Sequence, residues 1–197
     1  MIAILDYGSG NLRSAQRAFE TSGKEVVLTS DYDVALNADG LVVPGVGAFA
    51  ACMQGLAGVR GDQLVRERIA LKRPTLGICV GMQILFAHGL EHGDHDGVGV
   101  WDATVEKLSA PILPHMGWNT LTTLRAEPLL AGLQPTDRCY FVHGYFASGR
   151  LPEVVATSEY GQSIAAVVRR NHVAGVQFHP ERSGIVGAAI LRNFLNS

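Results

Sequence analysis

An apolar run, Thr75–Ile78, passes without a break into Gly77-Ile78-Cys79-Val80-Gly81. No other stretch of the 197 residues restricts the fold as tightly. A buried strand that ends at Gly-x-Cys-x-Gly and continues into a helix is a nucleophile-elbow pattern with Cys in the central position. The two glycines permit a turn in which larger side chains would collide. The turn lifts the sulfur out of the sheet and sets it at a helix N-terminus, where the helix dipole favours thiolate. The N–H of Val80 is then free to bind an oxyanion. From this segment alone, core packing and catalysis both remain open for Cys79. Cys52, inside a helix, and Cys139, at a strand edge, read as buried packing.

The elements around the elbow set the fold class. Ile2–Leu5 is a short strand ending at the turn Asp6-Tyr7-Gly8-Ser9-Gly10. A helix begins at Asn11 and stops at Gly23. Glu25–Thr29 is β-rich, and Gly40–Val43 is a strand closed by Pro44-Gly45-Val46-Gly47. A helix fits between Phe49 and Leu71, Thr75–Ile78 is a buried strand, and Met82–Ala87 is read as a helix. This order predicts a parallel sheet covered by helices. The second half changes character. Val98–Leu108, Tyr140–Phe146, Val154–Ser158, Ile164–Arg169 and Val173–Phe178 read as strands, some antiparallel, with turns at Tyr160-Gly161 and Arg170-Asn171. A helix over Ile185–Leu195 follows. The expectation is one α/β domain over residues 1–197, with a mixed, largely parallel sheet flanked by helices.

Composition excludes several classes. Apolar residues make up 47% and charged residues 17%, which is globular rather than disordered. The net charge of −2 comes without any Lys/Arg block, so neither nucleic acid nor an anionic membrane is an expected partner. Three widely spaced cysteines argue against a disulfide framework and for a reducing, cytoplasmic compartment. The opening residues read as a first strand rather than a signal peptide, and no apolar run reaches membrane-spanning length. The stretch His88, Glu91, His92, Asp94, His95, Asp96 is rich in ligand side chains, with His88 and His92 four apart. The interspersed Gly89, Gly93 and Gly97 favour a polar loop, and neither a metal nor another cofactor is expected.

A thiolate nucleophile needs a base to move protons. Val176-Gln177-Phe178-His179-Pro180-Glu181 supplies one. On an extended backbone His179 and Glu181 face the same way, and Pro180 suits a strand exit. A carboxylate beside an imidazole fixes its tautomer and stabilises the imidazolium.

Gly77-Ile78-Cys79-Val80-Gly81-Met82-Gln83, followed about a hundred residues later by Gln177-Phe178-His179-Pro180-Glu181, resembles the class I (triad) glutamine amidotransferases. Two motifs in this order and spacing are far more specific than either alone. The resemblance implies a flavodoxin-like fold and thioester chemistry, with Cys79, His179 and Glu181 as the triad and L-glutamine as substrate. Asp6–Ser14, Pro44–Phe49, Pro114–Asn119 and Tyr140–His143 extend the likeness to the glutaminase subunits that serve histidine biosynthesis. These hand ammonia to a (β/α)8-barrel cyclase and stay nearly silent until the cyclase binds its own substrate.

On this resemblance Val46 and Val80 supply the oxyanion hole. Gly45, Gly47, Gln83, Glu91, His143, Gly144 and Tyr145 form the glutamine pocket. Asn11, His115, Trp118 and Tyr140 face the cyclase. Gly144 stands where the family has Ser or Thr, so a backbone contact there survives and a hydroxyl contact does not. Glycines on both sides of Val46 suggest a peptide that flips, with a resting orientation unfit for catalysis. For Trp118, core packing and a partner interface fit the sequence equally. A subunit of the anthranilate or aminodeoxychorismate synthases, another cysteine hydrolase, and a non-catalytic module are the rival readings. The Pro44–Gly47 and Pro114–Asn119 segments disfavour the first, Gln83 and the His179-Pro180-Glu181 order the second, and an intact triad the third.

Overall fold

The computed structural model describes residues 1–21 and 23–196. Its first half runs β1 (Ile2–Leu5), α1 (Leu12–Glu20), β2 (Val26–Thr29), α2 (Tyr32–Asn37), β3 (Gly40–Gly45), α3 (Phe49–Gly58), α4 (Gly61–Ala70), β4 (Thr75–Cys79) and α5 (Val80–Gln83). Then come β5 (Phe86–Gly89), β6 (His95–Asp96), β7 (Trp101–Lys107), β8 (His115–Thr120), β9 (Thr122–Thr123), β10 (Arg138–His143) and β11 (Tyr145–Ala147). β12 (Val154–Glu159), β13 (Ser163–Arg170), β14 (Val173–Val176) and α6 (Gly184–Phe194) complete the order.

The main sheet has the strand order β2-β1-β3-β4-β14-β13-β12-β9. Its first five strands are parallel and the last three antiparallel. The parallel half repeats the flavodoxin-like order. β1, β3, β4 and β14 are buried along their whole length. Continuous apolar runs of this kind are what a sheet covered on both faces requires. α1 packs by the opposite rule. Ala15 and Phe19, four apart, are buried, while Arg13, Gln16 and Glu20 sit on the outer side and hydrogen-bond one another. A four-stranded sheet, β11-β7-β5-β6, and the antiparallel pair β8/β10 form two further sheets.

Four expectations need correction. Met82–Ala87 is not a helix: α5 stops at Gln83, and β5 begins at Phe86. The carbonyls of Ile84, Leu85, Phe86 and Ala87 accept from the N–H groups of Val98, Val100, Gly99 and Gly97, so they cannot take part in a continuing helix. The helical region Phe49–Leu71 is two helices, broken at Arg60 in a left-handed conformation. Tyr140–Phe146 is two strands in different sheets, divided at Gly144. α1 ends at Glu20, short of Gly23, and the intervening Ser22 lies outside the described residues. α2, β8 and the two-residue strands β6 and β9 were not anticipated. α2 carries an N-cap signal, Asp31, whose carboxylate accepts from the Val34 N–H at 2.8 Å. β8, His115–Thr120, takes in all of the Pro114–Asn119 segment but its proline.

Candidate active site

Three strand ends converge. Gly45 at the end of β3 stands in register with Cys79 at the end of β4, and Val176 at the end of β14 pairs with Ile78. This is the carboxyl edge of the parallel strands, where sheets of this order bind ligands. Cys79 has φ 55°, a left-handed conformation that costs a non-glycine residue energy and persists only when its surroundings enforce it. Close packing enforces it here. A Cβ on Gly81 would fall 1.9 Å from the Val43 carbonyl oxygen, and one on Gly77 would fall 2.7 Å from that of Gly81. The Tyr7 hydroxyl donates to the Pro44 carbonyl and ties β1 to the same corner. The dipole contribution is smaller than expected, because α5 is a single turn of four residues. Val80 opens that turn, in a position whose N–H has no intrahelical acceptor.

The Cys79 side chain is buried. Its Sγ lies 3.8 Å from the Val142 carbonyl oxygen and receives the Gln177 Nε2 amide at 3.9 Å. His179 follows β14, and its N–H donates to the Tyr140 carbonyl at 2.8 Å. Ser183 Oγ donates to the His179 carbonyl at 2.7 Å and accepts from the Tyr140 N–H at 2.9 Å. His179 Nδ1 meets Glu181 Oε1 at 2.7 Å, with both side chains almost wholly buried. The pairing is the expected one, but its geometry differs from an extended strand. Pro180–Arg182 forms a 3-10 turn that folds the carboxylate back under the ring.

His179 Nε2 and Glu181 Oε2 are buried and make no hydrogen bond of normal geometry. The electrostatics at the imidazole run in opposite directions. Burial, the largest single influence, opposes its charge. The adjacent Cys79 sulfur and the Glu181 carboxylate together outweigh that, and raise its pKa from 6.5 to about 10. The imidazolium is therefore the favoured state at neutral pH.

A cavity of about 330 Å³ opens in front of Cys79 and His179. Val46, Gly47 and Val80 line it. So do Gln83, Glu91, His143, Gly144, Tyr145 and Asn11. Gly45 does not line it. It packs beneath the elbow, where a Cβ would fall 2.4 Å from the Gly81 nitrogen. Gln83 is buried, and its amide donates to the Tyr145 carbonyl at 2.9 Å and to Gln177 Oε1 at 3.0 Å, so it builds the wall. Glu91 Oε2 accepts the Phe49 N–H at 2.8 Å and caps α3, whose own N-cap residue is Ala48. Gly144 has open space where a Cβ would stand.

The Val46 N–H donates to Ser9 Oγ at 3.0 Å, and Ser9 Oγ also lies 2.8 Å from the Val46 carbonyl oxygen. The Cys52 thiol approaches the same carbonyl at 3.3 Å. The Val46 N–H is thus occupied by Ser9. The interface candidates divide. Trp118 is 53% exposed and Met116 on the same strand 62% exposed. Tyr140 meets Trp118 edge-to-face, with ring centroids 5.8 Å apart. Core packing is therefore excluded for Trp118. His115 instead is only 2% exposed, stacked between Phe141 and Tyr160, and presents no surface to a partner. Its companion His143 is buried with it, and burial lowers the pKa of both to about 4.

Ser9, Gln177 and Arg182 acquire positions that sequence reasoning did not assign. Arg182 lines the cavity and stacks over the Tyr140 ring at 5.2 Å. Ser9 and Gln177 lie inside motifs that signal the family, but nothing local marks their contacts. In the 88–96 stretch, His88 lies on β5 rather than a helix, so the four-residue spacing to His92 has no helical meaning. His88 Nδ1 sits 3.3 Å from Asp96 and 3.7 Å from Asp94. Among the described residues no three side chains gather to hold a metal ion. No described helix is long and apolar enough to cross a membrane.

Comparison with known proteins agrees with this geometry. The glutamine amidotransferase class-I family model matches residues 3–197. The imidazole glycerol phosphate synthase subunit HisH of Corynebacterium glutamicum is 51% identical, covering 99% of this chain and 97% of that protein. The HisH subunit of Nocardia farcinica is 50% identical, covering 100% and 97%. Among solved structures, a glutamine amidotransferase superposes with a TM-score of 0.78 at 22% identity, covering 99% of this chain and 97% of that one. PurLQS from Thermotoga maritima superposes with a TM-score of 0.73 at 20% identity, covering 99% and 97%. These two likenesses speak for the fold, and the two relatives for the branch. The chain belongs to the class-I glutamine amidotransferases, within the family of imidazole glycerol phosphate synthase HisH subunits.

Proposed function

We propose that residues 1–197 form one glutaminase domain that supplies ammonia to an imidazole glycerol phosphate synthase, in the cytoplasm, as a heterodimer with a (β/α)8-barrel cyclase. The observation that carries this reading is the meeting of Cys79, on a strained elbow, with the buried His179–Glu181 pair at one cavity. The Cys79 thiolate attacks the side-chain amide carbon of glutamine. The C–N bond breaks as His179 gives its Nε2 proton to the leaving nitrogen, and ammonia departs. Neutral His179 then takes a proton from water, whose oxygen attacks the glutamyl thioester. Glutamate leaves, and Cys79 and His179 return to their starting state. Glu181 holds the ring through Nδ1 and stabilises its charge.

The oxyanion that forms at each attack needs two donors. Val80 N–H is one. Val46 N–H is the other once it leaves Ser9 Oγ. That bond favours a resting state with an incomplete oxyanion hole, and partner binding would shift the balance. Exposed Trp118 with Tyr140, and Asn11 of the cavity lining, are the surface we assign to the cyclase; His115 supports that surface from beneath. Ammonia would then pass to the cyclase without entering solvent, where it would be protonated.

The test is glutamate release from glutamine by the chain alone, with the cyclase, and with cyclase plus its nucleotide substrate. Strong stimulation only in the full mixture, abolished in Cys79→Ala, is the expected result. Cys79-dependent hydrolysis indifferent to that cyclase would point to another synthase, and its complete absence to a non-catalytic role. Ser9→Ala should raise hydrolysis by the chain alone up to roughly tenfold, the scale of one hydrogen bond. Unchanged basal activity would remove Ser9 from the resting state.

A further inference from the structure

A row of hydrogen-bonded side chains, half-buried Asn119 and buried His115 and His143, connects β8 to the wall of the cavity, and its hydrogen bonds run in one direction. Asn119 on β8 accepts the Thr120 N–H through Oδ1 at 2.8 Å and donates through Nδ2 to the Glu159 carbonyl at 2.9 Å. Those two bonds fix which end of the amide is nitrogen. The same Nδ2 lies 3.3 Å from His115 Nε2, which must therefore accept. At the far end, His143 Nδ1 lies 2.9 Å from the Tyr145 carbonyl oxygen, and a carbonyl can only accept. His143 Nδ1 therefore carries the proton, and its Nε2, if the ring is neutral, can only accept. His115 Nδ1, 3.0 Å from that nitrogen, must donate. Burial keeps both rings neutral. Both imidazoles are thus held with hydrogen on Nδ1 and a lone pair on Nε2, by constraints that enter from opposite ends.

The row ends on a carbonyl that the site itself uses. Tyr145 O also accepts from Gln83, which donates to Gln177, whose amide reaches the Cys79 sulfur. The connection crosses the corner at Gly144, where the chain leaves β10 for β11 and so changes sheets. The β8–β10 ladder reaches this corner at the His115–His143 pair and the Gly144 carbonyl accepts the Leu108 N–H at 2.9 Å; beyond that pair, the imidazoles carry the connection from the β8 side on to the Tyr145 carbonyl.

We propose that His115 and His143 are positioning residues for the glutaminase reaction: a one-way hydrogen-bond relay from Asn119 through both rings to the Tyr145 carbonyl, setting the Gly144 corner of the glutamine pocket. The proposal rests on the glutamine-pocket reading above. It makes the pocket wall sensitive to the position of β8, the strand that carries Trp118. Neither imidazole touches the reacting atoms, so the relay acts on substrate binding and through Gln83.

The test uses the complex of the full chain with its cyclase, and substitutions at His115 that separate bonding from packing. His115→Phe keeps the stack between Phe141 and Tyr160 and removes both hydrogen bonds. His115→Gln gives up most of the stack but retains an amide that can donate to His143. A relay predicts a roughly tenfold rise in glutamine KM for His115→Phe, the scale of one or two lost hydrogen bonds, with kcat changed less and with recovery in His115→Gln. A role in packing alone predicts the reverse order, and that order overturns the proposal. A second readout is spectroscopic. Two-bond 15N–1H correlation in histidine-labelled protein should show both rings protonated at Nδ1, whereas neutral imidazole in water prefers Nε2. Either ring protonated at Nε2 contradicts the relay, whatever the kinetics. Loss of glutamate release in the unsubstituted complex would instead refute the glutaminase reading, so the two failures are distinguishable.

Discussion

The two ends of the parallel strands each hold a buried polar cluster, and they are built on opposite principles. At the amino end, Arg68 is fully buried on α4 and its guanidinium is satisfied by protein oxygens. It donates to the carbonyls of Ala35, Leu36, Ala38 and Pro74 at 2.7–3.0 Å and to Thr75 Oγ1 at 3.3 Å. At the carboxyl end, His179 Nε2 and Glu181 Oε2 are buried without a hydrogen bond of normal geometry, and Cys79 is held at positive φ. Unmet capacity in a buried polar group costs energy that a purely architectural cluster has no reason to bear. The satisfied cluster fastens α2 and α4 to the strand starts. The unsatisfied one leaves His179 Nε2 without a bond beside the cavity, as the proposed proton transfer requires.

The contrast can be broken in five ways. The largest effect is expected at Cys79. Cys79→Gly should abolish glutamate release, yet raise thermal stability by about 1 kcal/mol, because glycine tolerates the left-handed conformation. A loss of stability would mean that the elbow is not strained. Second, Arg68→Met should destabilise by roughly 3 kcal/mol or more, since several buried carbonyls lose their donor at once. Turnover per folded molecule should stay unchanged, as measured by urea denaturation and active-site titration. Third, the folded imidazole of His179 holds its proton up to about 10 against 6.5 for the free group. Its contribution to stability is therefore complete below 6.5 and disappears as pH rises through about 10. Wild type should lose stability between pH 7 and 10 more steeply than His179→Gln, and parallel melting curves would deny the coupling. Glu181→Gln should shift the alkaline limb of activity to lower pH and reduce kcat on the order of 10²-fold or more. The smallest effect concerns the one other orphaned buried side-chain atom among the described residues, Trp101 Nε1. It lies in the core against Phe86, away from any chemistry. Trp101→Phe should cost less than about 1 kcal/mol, because the lost packing is offset by removal of an unbonded donor.

The sequence was informative where structure is local. The elbow is encoded by its own glycines, the His179–Glu181 pair by residues two apart, and the parallel strands by unbroken apolar runs. It was silent where distant segments compete for the same groups. Residues 84–87 look helical until residues 97–100 claim their carbonyls. His115 shares a motif with Trp118, and only the pairing of β8 with β10 decides that one ring faces inward and the other outward. Ser9 and Val46 lie 37 residues apart, and nothing near either announces their bond. Of the three proposed triad residues, the two motifs named the side chains that meet at the cavity but not the 3-10 turn that joins His179 to Glu181.

The central claim is that the unsatisfied cluster is the chemically active one, and selective thiol reactivity tests it most directly. The complex with the cyclase and its nucleotide ligand would be treated with a glutamine-like electrophile, and all three cysteines mapped by mass spectrometry. The account predicts one adduct, at Cys79, suppressed by glutamine and by His179→Gln, with Cys52 and Cys139 unmodified. Comparable labelling of all three cysteines, or an adduct indifferent to glutamine, would contradict it.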